Sequence, residues 1–135
     1  MQEAVANLAV IGQSWRELTT LDSRGSLASG HAFSDRLSFA AVGFISLGDT
    51  ASAMRRDSLL ASHHPPLDFG YRELARARIA AHLGQYDRAT SLLQQSAAEG
   101  VRLHLLWGID FMSDPFLAPL RAYPPFVKLV AHPER

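Results

Sequence analysis

The chain has 135 residues, no cysteine, and 13 basic against 13 acidic side chains. That length suits one domain with a modest core. The balanced charge supplies no field to draw DNA, RNA or anionic lipid, and the lack of cysteine removes disulfides, thiolate catalysis and thiolate metal sites together.

The first residues, MQEAVANLAVIG, have neither a basic start nor a long apolar run, so no signal peptide is expected. Residues 2–11 and 13–23 both read as short helices around a turn at Gly12, with Leu8 and Ile11 on one stripe and Trp15, Leu18 and Leu21 on the next. The stretch from Ser23 to Gly30 is rich in Ser and Gly and reads as a loop. Ser34 and Asp35 offer caps for a helix running to Leu47. Its uncharged part, Leu37 to Gly48, is too short to cross a bilayer, which takes about 20 residues. With no membrane segment and no leader, a cytoplasmic location is expected.

Gly48-Asp49-Thr50 breaks that helix, and a second runs from Thr50 to Ser62, closed by His63-His64-Pro65-Pro66. From Asp68 to Leu83 a helical stripe carries Leu74, Ala77, Ala80, Ala81 and Leu83. Gly84-Gln85 turns the chain, and a helix from Tyr86 to Glu99 places Ala89, Leu92, Leu93 and Ala97 inward before Gly100 stops it. Residues 101–112 form a dense apolar patch that includes Leu103, Leu106, Trp107 and Phe111. Ser113-Asp114-Pro115 starts a short helix to about Arg121. Tyr123-Pro124-Pro125 then breaks the chain before a last helix with Phe126, Val127, Leu129 and Val130.

Ile11-Gly12, Leu47-Gly48 and Leu83-Gly84 recur at steps of 36 residues. Ala41 matches Ala77 in the same register, and Ala53 matches Ala89. A fixed period of this size marks stacked helical hairpins, since one hairpin cannot bury its apolar face alone. The expected fold is all-α: antiparallel hairpins stacked as a solenoid. Its parts are a degenerate hairpin at 1–23, hairpins at 34–64 and 67–100, and a cap of short helices at 101–135.

Leu83-Gly84-x-Tyr86-x-x-Ala89, with Ala77 seven residues before the glycine, resembles a tetratricopeptide repeat. The preceding unit repeats the pattern at Ala41, Leu47, Gly48 and Ala53, with Pro65 where that family often closes a unit. It departs at Asp57, where the family is usually apolar. In the first unit Glu17 replaces the small alanine, and the 36-residue period exceeds the family's usual ~34. The stretch from Asp114 to Phe126 is similar to the closing segment of bacterial tetratricopeptide arrays attached to serine/threonine kinases, cyclase-like sensors and winged-helix regulators.

The resemblance implies a concave groove lined by the first helix of each hairpin. Its peptide-binding candidates are Ser38, Val42 and Ser46 from one hairpin and Tyr71, Arg78 and His82 from the next, with Ile45 and Leu74 beside them. Arg78, next to Tyr71 and His82, suits a carboxylate or an acidic peptide.

Catalytic chemistry has less to stand on. No two of the six histidines lie three or four apart, the spacing that gives one metal two ligands from a helix, so neither metal nor cofactor is expected. There is no Gly-x-Ser-x-Gly elbow. Gly43 and Gly48 have the outer spacing of a phosphate loop, but Asp49-Thr50 follows where Lys-Ser/Thr is needed.

The expected function is a non-catalytic scaffold or regulatory module binding a protein or peptide, the closing part of a larger bacterial signalling protein. The alternative is a purely structural end cap of a longer array, with an enzyme third. An apolar amino-terminal face (Val5, Leu8, Ile11, Trp15, Leu18, Leu21) gives self-association a surface.

Overall fold

The computed structural model describes residues 15–20, 31–62, 70–99, 111 and 114–131. The expected helix at 2–11, the loop at 23–30, the prolines after Ser62, the stop at Gly100 and most of the apolar patch at 101–112 lie outside these residues. The described residues are helical, with no strand among them. A helical turn at 15–18 precedes α1 (His31–Ser46), α2 (Thr50–Ser62), α3 (Tyr71–His82) and α4 (Tyr86–Ala98). A 3-10 helix (Pro115–Leu120) and α5 (Pro124–Ala131) complete them.

The α1–α2 and α3–α4 turns are built alike. Gly48 has φ 88° and Gly84 φ 80°, a left-handed conformation that glycine adopts without the Cβ penalty. Gly48 N–H donates to Ile45 O at 3.0 Å and Asp49 N–H to Phe44 O at 2.8 Å. Gly84 N–H donates to Ala81 O at 3.2 Å and Gln85 N–H to Ala80 O at 2.9 Å. Each donor and acceptor in the second turn lies 36 positions after its counterpart in the first, so the sequence period is also a backbone period. The helices that follow are capped differently. The Asp49 carboxylate accepts from Ser52 Oγ at 2.6 Å and Ser52 N–H at 3.1 Å, and these bonds hold it below the usual carboxylate value. Gln85 makes no such bond.

The four matched alanines, Ala41, Ala53, Ala77 and Ala89, have no exposed surface. Ala41 and Ala53 share one core cluster with Leu37, Leu60, Ala75 and Ile79. Ala77 and Ala89 belong to a second, with Leu74, Leu92 and Leu93. Helix α3 joins the two, for it packs against α1, α2, α4 and the 3-10 helix. Four neighbours fit around it because Ala75, Ala77, Ala80 and Ala81 keep its surface shallow.

Asp57, the polar residue at a usually apolar place, has a structural reason. Its carboxylate accepts from Arg76 Nε at 3.0 Å and Arg88 Nη2 at 2.6 Å, tying α2 to α3 and α4. At the other end of the second hairpin, Ser96 Oγ donates to Gly70 O at 2.7 Å. Gly70 has φ 89°, and a Cβ there would lie 2.4 Å from Ser96 O. Gly70→Ala should therefore cost about 1–3 kcal/mol for the backbone alone, with the collision added. A thermal midpoint within a degree of the parent would show that α4 does not approach α3 this closely.

Two expectations change, one at an element start and one in the core. Helix α1 begins at His31, so Ser34 and Asp35 lie inside it rather than capping it. Ser34 is buried and Asp35 points at Arg78. Pro124 and Pro125 stand in the first turn of α5, so the expected break at 123–125 falls at the helix start, as suits residues whose missing N–H would have no partner there. Leu117, Leu120, Phe126 and Leu129 are buried against α3 and α4, but Val127, expected with them, is 41% exposed. Helical spacing turns it away from Phe126 and Leu129.

The turn at 15–18 lies across α1 at Gly43, where a Cβ would meet Trp15 O at 2.7 Å. Gly43 thus serves a close approach of chain segments. Trp15 and Leu18 are half-buried there, while Val5, Leu8, Ile11 and Leu21 lie outside the described residues.

Candidate functional site

The face shared by α1 and α3 is where sequence reasoning expected an open groove. Asp35, Ser38, Phe39 and Val42 recur on α1 at helical spacing, and Tyr71, Leu74, Arg78 and His82 do so on α3. The structure brings most of these together, but beneath another part of the chain. Asp114 and the 3-10 helix lie over α3 and close the face.

Arg78 is the centre of the closure. Its Nε donates to Asp114 Oδ2 at 2.9 Å and its Nη1 to Asp35 Oδ1 at 2.7 Å. The same Nη1 lies 3.4 Å from Ser38 Oγ, which donates to the Asp35 carbonyl at 2.9 Å. The guanidinium also sits 5.1 Å from the centre of the Phe39 ring, within cation–π range. Phe39 stacks on Phe116, with ring centres 4.4 Å apart and planes 25° from parallel. One arginine on α3 is thereby joined to α1 and to the C-terminal segment by charge, and the two phenylalanines join those segments directly.

The segment's own geometry comes from its first residues. Asp114 Oδ1 accepts from Phe116 N–H at 2.9 Å while Oδ2 takes Arg78, so one carboxylate both caps the turn and anchors it. Pro115 occupies the first helical position, where its fixed φ is already suitable. Leu117 and Leu120 then face the α3–α4 core.

The expected groove residues therefore divide. Ser38, Val42, Tyr71 and Arg78 are buried, and Leu74 belongs to the core. Ile45 and His82 are half-buried, and only Ser46 is exposed. This corrects the expectation of an open lining: most of these residues are buried, and Arg78 and Phe39 are taken by Asp114 and Phe116 of the chain's own C-terminal segment. Four residues of the site were not among the expected groove residues, namely Asp35, Phe39, Asp114 and Phe116. The spacing of Asp35, Ser38, Phe39 and Val42 on α1 was the available signal for the first two.

Tyr71 and His82 on α3 are both shifted by their surroundings. Burial pushes the Tyr71 hydroxyl up and the Asp35 charge adds to this, against Arg78. Burial pulls His82 below the usual imidazole value, and a hydrogen bond to the Phe116 backbone with the Asp114 charge offsets part of that. Below the unfolded value of about 6.5 the unfolded chain thus binds protons at this site that the folded chain does not. Stability from His82 is complete above that pH and is lost as pH falls toward the lowered folded value. His82→Gln should shrink the drop in melting temperature between pH 7.5 and pH 5.5, and an unchanged drop would show that the imidazole is solvated.

Of the repeat-signature residues, Leu47 is exposed and Leu83 packs against the first core cluster. Tyr86 is 37% exposed, and its ring lies 5.5 Å from that of Tyr123, whose hydroxyl hydrogen-bonds Asp87. Among the described residues no three His, Asp or Glu side chains converge as a metal centre requires. No described helix is long and apolar enough to cross a membrane. No family model, curated protein or solved structure matches the chain.

Proposed function

We propose that this protein is a non-catalytic interaction module of stacked helical hairpins of tetratricopeptide type, cytoplasmic, and the closing part of a larger bacterial signalling protein. One observation carries the reading. The face made by the first helices of two successive hairpins, α1 and α3, holds a non-repeat segment by an ion pair and a ring stack. A surface that recognises an acidic and aromatic segment of its own chain has the chemistry for binding segments of other proteins. The repeated glycine turns and the burial of all four matched alanines support the array architecture.

The second reading, a structural end cap, is favoured by the depth of the C-terminal segment. Leu117, Leu120 and Phe126 have no exposed surface, as expected of groups closing the open end of an array. Photo-crosslinking in cells separates the two. A benzophenone side chain at exposed Ser46, at the end of the α1 face, should trap a separate protein under the interaction reading. Adducts formed only from exposed Arg16, on the turn that packs at Gly43, would favour the end cap.

A further inference from the structure

We propose that the α1–α3 face is a seat for peptides bearing Asp, then an aromatic residue two positions later, then leucine. Asp114-Pro115-Phe116-Leu117 is its resident occupant, which a partner peptide of that chemistry displaces. The inference rests on the interaction reading above and names the partner's recognition element.

The seat reads each position separately. Arg78 takes the carboxylate at 2.9 Å, the Phe39 ring takes the aromatic residue at 4.4 Å, and the α3–α4 core takes the leucine. The tripeptide also carries its own shape, since Asp114 bonds Phe116 N–H within the segment and Pro115 fixes the intervening φ. A free peptide with these residues keeps that turn and loses less entropy on binding.

The seat is also built to survive exchange. A buried arginine left without a carboxylate would be heavily penalised. Here Asp35 holds the same guanidinium at 2.7 Å, with its side chain 30% exposed, so Arg78 keeps a counter-charge when Asp114 leaves. Leu117 shares the second core cluster with Phe126 and Leu129 of α5, so exchange needs an incoming leucine to take its place while α5 keeps the rest of that cluster covered.

The resident segment competes at the high effective concentration of a tethered ligand, on the order of millimolar for a short flexible link. The test uses the full chain with the latch loosened by Asp114→Asn and Phe116→Ala. The probe is a fluorescent peptide of sequence Asp-Pro-Phe-Leu-Ala-Pro-Leu, followed by anisotropy. A control peptide carries Asn for Asp and Ala for Phe, so the specificity check does not depend on how the protein folds. The loosened chain should bind the probe at least about tenfold more tightly than the parent chain and more tightly than the control. Asp114→Asn alone keeps the side-chain volume and should give an intermediate gain; it serves if the double variant loses its helical circular dichroism. On the parent chain, millimolar probe should shift the Arg78 Nε–H resonance.

A folded variant that binds neither peptide, or both equally, overturns the seat. Probe affinity absent while crosslinks persist at position 46 sinks this inference and leaves the interaction reading standing. Binding that tracks dimerisation in light scattering would assign the seat to a second copy exchanging its segment, and would overturn the partner.

Discussion

Truncation after Met112 is expected to convert the protein from a single species into associating material with reduced helicity. The segment removed contributes Leu117, Leu120, Phe126 and Leu129 to the second core cluster. Full burial of one such side chain contributes about 1.5–3 kcal/mol before ordering entropy, so four are comparable with the whole net stability of a small domain, about 5–15 kcal/mol. What remains would expose Leu74, Leu92 and Leu93 on a contiguous apolar face, and such a face on the last hairpin promotes association. Phe126→Ala alone should cost about 3–5 kcal/mol, because the residue has no exposed surface and its neighbours belong to rigid helices. Size-exclusion chromatography with light scattering checks the truncation. A monodisperse monomer with undiminished helicity would mean that the core is complete without the segment.

The second large effect is at Arg78. Replacing it with methionine removes the cation that bridges Asp35 and Asp114, whose side chains are 30% and 11% exposed. Breaking a buried pair by removing one partner costs about 3–5 kcal/mol, mostly the penalty of stranding the other charge, and the exposure of Asp35 places this case near the lower bound. A second substitution decides the cause. Asp114→Asn should cost less in the Arg78→Met background than in the parent, since the neutral amide no longer leaves a carboxylate unpaired. Urea melts of the four proteins give the coupling. Strict additivity would show that Arg78 matters for its packing against Phe39 and not for its charge.

The sequence disclosed local features better than the closure of the face. Gly48 and Gly84 announce two turns because a left-handed residue after an apolar helix end has few alternatives. Ala41, Ala53, Ala77 and Ala89 announce close crossings because small residues in register have little other reason to recur. The start of α1 was misplaced because Ser34 and Asp35 carry the chemistry of a cap, and only the fold shows Asp35 facing an arginine 43 residues away. The occupied groove escaped notice for a related reason. Helical spacing tells which residues share a face and says nothing of what lies against it. The match between Arg78 and Asp114 crosses 36 residues of chain. Val127 shows the limit of counting apolar residues, since it lies one position after buried Phe126 and faces outward.

The claim at the centre of this account is that the C-terminal segment occupies the α1–α3 face, with Phe116 on Phe39. Nuclear Overhauser spectroscopy of the full chain tests it most directly. Ring centres 4.4 Å apart predict strong cross-peaks between the aromatic protons of Phe39 and Phe116, together with contacts from Phe126 to the α3–α4 core. Contacts from Phe126 without any between Phe39 and Phe116 would contradict it, leaving the α1–α3 face open.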